Sequence, residues 1–210
     1  MLRKLPSSLL VMLTLVLLIS SPVYAKEKME PMKAAELQMT LRDLWVGHIF
    51  WVRSVVIATK WGDADAVKVA EDNVVGNAKD IAAAVGSFYG KEAGDKLFGL
   101  LAGHYGAIKE YLTASMVDDK EGKGAAVEKL KKNADEIAGF LSGANPKNWP
   151  KDTLVSLLVA HGGHHIAQID AVMAKDYGTE ATTWVAMKKH IYTIADALAG
   201  GIVKQFPKKF

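Results

Sequence analysis

Cysteine is absent from this chain of 210 residues. That removes disulfides and thiolate metal sites, and with no Cys-x-x-Cys-His segment it also removes covalently attached haem. Proline is scarce, at six residues, which leaves long stretches free for helix, because the proline ring and its missing N–H oppose the helical ladder. Neither sign of charge dominates: 26 Lys and Arg face 23 Asp and Glu. Basic residues gather only briefly, at Lys129, Lys131 and Lys132, at Lys188 and Lys189, and from Lys204 to Lys209. Interleaved with apolar positions, they read as solvated faces, so nucleic acid is not an expected partner. The chain has no phosphate-cradling glycine loop, nucleophile elbow or dinucleotide fingerprint. Nor has it a Glu-x-x-His pair, which argues against a carboxylate-bridged di-iron bundle.

One apolar run stands out, from Leu9 to Ile19 with Thr14 inside it. Arg3 and Lys4 precede it, Ser20-Ser21-Pro22 ends it, and Val23-Tyr24-Ala25 offers a cleavage site. This order predicts a signal peptide over 1–25, cut before Lys26, and a periplasmic or secreted protein. At about 11 apolar residues the run falls short of the ~20 that span a bilayer, so no stable membrane span is expected after cleavage. A lead-in over 26–36 would then open into a single helical domain, 37–206.

Polar residues recur along that domain at fixed intervals. His48 is followed 29 residues later by Asn77, His104 by Asn133, and His161 by His190, and the pairs repeat after 56 and 57 residues. Apolar residues at steps of three and four surround each one, as in Leu37, Leu41, Leu44, His48, Val52 and Val55, which keeps the set on one side of a helix. Leu41 to His48 aligns with Leu97 to His104 and Leu154 to His161, so the unit is an internal repeat. Turn signals fall at Trp61-Gly62-Asp63, Asp118 to Gly124 and Asp176-Tyr177-Gly178, with links at Tyr89-Gly90 and across Gly143 to Pro150. The expected fold is all-α: three antiparallel helical hairpins, 37–89, 91–143 and 150–206, arranged as an up-down six-helix bundle or a short solenoid. Asn148 is the expected cap of the fifth helix, with Pro150 in its first turn. Each pair is centred on its turn, so His48, Asn77, His104, Asn133, His161 and His190 should occupy one slab across the helices.

Three readings of that slab follow from its chemistry. In the first it is structural: amides and imidazoles hydrogen-bond one another and fix the register of an interaction domain whose protein partner is unknown. In the second it binds a transition metal or a non-covalent haem, since neutral imidazole is the common ligand for such ions. His161-Gly162-Gly163-His164-His165 concentrates three imidazoles, and the metal candidates are His161, His164, His165, His190 and His104. Gly162 and Gly163 each cost about 1 kcal/mol in helix propensity. Close approach of a neighbour, or deliberate loosening of the helix, would offset that. Asp80, Glu136 and Arg53 are candidates to orient the ring. In the third reading the histidines serve as acids and bases, but no catalytic residue is assigned.

Leu44-Trp45-x-x-His48-x-x-Trp51-x-Arg53 resembles the opening of a family of small, mostly uncharacterised bacterial helical proteins. The likeness continues through Asn77-x-x-Asp80-Ile81, Asn133-Ala134-x-x-Ile137-Ala138-x-Phe140-Leu141-Ser142-x-Ala144-Asn145-Pro146 and Ile202-x-x-Gln205-Phe206-Pro207. The histidine cluster at 161–165 is richer than that family's pattern. Transferase and kinase names attach to some of its members, and no motif here supports either activity.

Overall fold

The computed structural model describes residues 22–210, with side chains from Lys33 onward. The expected leader, but for 22–25, lies outside the described residues. Six helices follow in order: α1 (Pro22–Trp61), α2 (Ala64–Tyr89), α3 (Lys91–Met116), α4 (Lys120–Ala144), α5 (Lys151–Ala174) and α6 (Tyr177–Gln205), then a short 3-10 turn (Pro207–Lys209). α1 thus includes the segment 26–36 read from sequence as a lead-in. No described helix is long and apolar enough to cross a membrane.

The hairpin turns share one device. Asp63, Asp119 and Asp176 each accept a hydrogen bond from the backbone N–H three residues on, at Ala66 (2.9 Å), Gly122 (3.0 Å) and Thr179 (3.0 Å). These aspartates satisfy orphan donors at the start of α2, α4 and α6 and place a negative charge at the positive end of each helix dipole. Because Asp119 caps α4, Glu121 to Gly124 is helical, and the turn is shorter than the sequence suggested. Gly62 takes φ +72° at the first turn, a conformation without steric cost only for glycine.

The link before α5 also differs from expectation. Pro150 occupies the cap position, while Asn148 donates to Asn145 Oδ1 at 2.8 Å. Asn145 in turn donates to the Gly201 carbonyl at 2.9 Å, and Trp149, 1% exposed, donates to the Ala197 carbonyl at 3.0 Å. Gly201 is required there, since a Cβ would stand 1.9 Å from Trp149 Nε1. The loop is thereby keyed into α6.

Each helix packs on its sequence neighbours, and α6 packs back on α1, so the array closes into a bundle rather than a solenoid. α1, α3 and α5 also touch one another. They run parallel in the interior, and α2, α4 and α6 fill the clefts between them. The apolar core is in two parts. One surrounds Leu41, Ile81, Leu97, Ile137, Leu154 and Leu198; the other surrounds Val55, Val74, Ile108, Leu130 and Val172. The polar residues of the repeat lie between them.

A buried four-histidine centre

The slab divides by helix into two kinds of chemistry. On the outer helices, Asn77 Nδ2 donates to the Leu44 carbonyl at 2.8 Å and Asn133 Nδ2 to the Leu100 carbonyl at 2.9 Å. His190 Nε2 reaches the Leu157 carbonyl at 2.9 Å. In every hairpin the accepting carbonyl lies four residues before the inner histidine. A carbonyl only accepts, so Nε2 of His190 carries a proton in this contact. The amide nitrogens of Asn77 and Asn133 and Nε2 of His190 thus bond the neighbouring helix backbone rather than an imidazole, and those carbonyls have a second lone pair free. Gly47 and Gly103 make the room: a Cβ would stand 3.0 Å from Asn77 Nδ2 and 3.2 Å from Asn133 Nδ2. In the third hairpin Ala160 takes that position and the longer His190 bridges the gap.

The inner helices bring the imidazoles together. His48 on α1, His104 on α3, and His161 and His165 one turn apart on α5 are 3%, 5%, 1% and 1% exposed. Their ring centroids lie 4.5–6.0 Å apart. One ring nitrogen from each falls within 4.8 Å of the other three. His161 Nε2 and His165 Nε2 are 3.2 Å apart, while Nε2 of His48 and of His104 is buried with no hydrogen-bond partner. Trp45, 4% exposed, sets its ring edge-on to His48 and His161.

Burial decides the charge of the cluster. Desolvation, reinforced by neighbouring His104, lowers the His48 pKa to about 3. His104 is pushed down to about 4 by burial, with Asn133 partly opposing. His161 and His165 fall well below the ordinary imidazole value, first by burial and then by repulsion from the surrounding imidazoles. All four are neutral at pH 7, which is the ligand form of imidazole.

Of the five metal candidates read from sequence, His104, His161 and His165 join His48 here, whereas His164 and His190 stand beside the cluster as a separate pair, ring centroids 5.2 Å apart. The sequence marks His48 only as a residue of the polar layer. The three proposed orienting residues are elsewhere. Asp80 and Glu136 are exposed on the outer surface, with Glu136 3.8 Å from Lys132. Arg53 forks onto Glu180 at 2.6 and 2.9 Å and lies over the Trp184 ring. Glu180, 5% exposed, also accepts from the fully buried Gln168 at 3.1 Å. No sequence signal marked that network, because its members come from three helices at unrelated spacings.

Fold and site together define a closed all-α bundle with a buried cluster of four histidines. No protein-family model matches the chain, and no match is found among curated proteins or solved structures.

Proposed function

We propose that the protein holds one transition-metal ion between His48, His104, His161 and His165. The observation that carries this reading is the convergence of four buried imidazole nitrogens within 4.8 Å of one another, with Nε2 of His48 and His104 left unpartnered. A purely self-bonded layer would leave those atoms unpaired at a cost of about 1–3 kcal/mol each. A shared cation gives each an acceptor for its lone pair. Tetrahedral coordination with metal–nitrogen bonds of about 2.0–2.1 Å sets ligand nitrogens roughly 3.3 Å apart. The 3.2 Å contact between His161 and His165 already matches, and the other ligand nitrogens, within 4.8 Å, would draw closer on binding.

An all-imidazole shell suits Zn, Cu, Ni, Co or Fe and not Mg or Ca, which take oxygen. Four protein donors fill a tetrahedral shell and leave no open position for substrate, which favours holding an ion over Lewis-acid catalysis. Haem fits less well. The rings converge on one point without a slot between them, and the cavity beneath, lined by apolar residues including Trp45, Leu101 and Leu158, is about 20 Å³.

Elemental analysis of untagged protein, followed by titration of the metal-stripped chain with Zn²⁺ and Co²⁺, tests the reading. One ion per chain is expected, with His48→Ala and His161→Ala each abolishing tight binding. Protein that arrives metal-free and takes up neither ion would leave the structural polar layer as the better account.

A further inference from the structure

The four-histidine centre poses a problem of access. None of its imidazoles is more than 5% exposed, and the two apolar clusters close it from both ends. A hydrated dication crosses an apolar layer only at great cost, so its water must be exchanged for protein donors stepwise. His164 and His190 stand where such an exchange would begin. Both are half-buried, their ring centroids lie 5.2 Å apart, and they bridge α5 and α6. His164 adjoins His165 in the chain, and His190 bonds the Leu157 carbonyl, one helical turn before His161. The bond from His190 Nε2–H to the Leu157 carbonyl makes Nδ1 the ring nitrogen that can take a metal.

The intervening backbone adds a second observation. A Cβ at Gly162 or Gly163 would meet nothing within 4 Å, so of the two reasons the sequence offered for them, close approach and a loosened helix, the first is absent. They sit between His161 and His164, where helix stability is lowered by about 1 kcal/mol for each.

We propose that His164 and His190 form a solvent-reachable two-histidine docking site that captures a divalent transition-metal ion and passes it to the four-histidine centre. The inference rests on that centre being a metal site. The ion first replaces two waters with the outer imidazoles; His161 and His165 then displace further waters as α5 loosens at its glycines. No electron transfer is required; the ring proton held on one Nε2 in the His161–His165 contact shifts to Nδ1 of the same ring as the metal takes its place.

Stopped-flow loading of the full, metal-stripped chain with Co²⁺, read from the visible absorption of tetrahedral Co²⁺, provides the test. His164→Ala removes one outer donor. Ala160→Gly combined with His190→Asn removes the other while restoring the Gly–Asn carbonyl bond of the first two hairpins. Each variant is expected to reach wild-type stoichiometry and final spectrum but to load about tenfold more slowly, a change within the range that docking steps impose on association rates. Loading within twofold of wild type in both variants would overturn the docking site and leave the centre intact. Loss of the final spectrum in His164→Ala would also overturn it, by making His164 a ligand of the centre. A wild-type chain that develops no spectrum and binds no Co²⁺ would remove both proposals together.

Discussion

At the scale of single residues, the same side chain does different work according to which helix carries it. His190 and His161 are both imidazoles of one hairpin, yet one donates to a backbone carbonyl and the other faces three more imidazoles. The buried set makes the metal-free protein sensitive to acid. His48 has its folded pKa lowered to about 3 and His104 to about 4, and His161 and His165 are also depressed, against an ordinary value of 6.5. Below pH 6.5 the unfolded chain therefore binds protons that the folded one does not. Their contribution is fully present above that pH and is lost as pH falls toward 4. The apo-protein should keep a flat Tm above pH 7 and lose on the order of 2 kcal/mol for each of His48 and His104 by pH 5, with His161 and His165 acting in the same direction. Thermal denaturation across pH 4.5–8 checks this; a curve that stays level down to pH 5 would mean the histidines are exposed in solution.

At the scale of elements, each hairpin is built from an inner helix with a histidine and an outer helix whose polar side chain bonds the inner backbone. The glycine before the histidine is part of that contact. Gly47→Ala and Gly103→Ala should each destabilise the protein by about 1 kcal/mol, through the lost amide–carbonyl bond, despite the better helix propensity of alanine. Gly163→Ala should stabilise by about 0.5–1 kcal/mol, since its Cβ meets nothing. Opposite signs in urea melts of chemically identical substitutions are the expected outcome. Stabilisation by all three would show that the Asn bonds contribute nothing. The three hairpin turns were legible in sequence, and the structure adds that Asp63, Asp119 and Asp176, which recur at the interval of the histidines, cap the helices that follow. The role of Asn148 was not legible, because its choice between a cap and Asn145 depends on how the loop folds over Trp149.

At the scale of the molecule, an ion in the centre would join α1, α3 and α5, one helix from every hairpin. Binding to the folded state alone stabilises by about 2.7 kcal/mol when free metal is a hundredfold above Kd. Zn²⁺ should therefore raise the Tm of wild-type protein by several degrees. The rise should vanish in His161→Ala and persist in His164→Ala. Scanning calorimetry with and without Zn²⁺ reads all three.

What the chain determines by itself is periodic. Three- and four-residue steps, turn residues and a matched repeat specify six antiparallel helices and the height at which the polar residues stand, because helix rise converts sequence distance directly into level. Azimuth is another matter. Closure of α6 onto α1 turned the odd-numbered helices inward, and only that arrangement separated His48, His104, His161 and His165 from His164 and His190. A linear sequence fixes how far along a helix a side chain lies. Which neighbours it meets is set by the packing of helices distant in sequence, and only their assembly decides it.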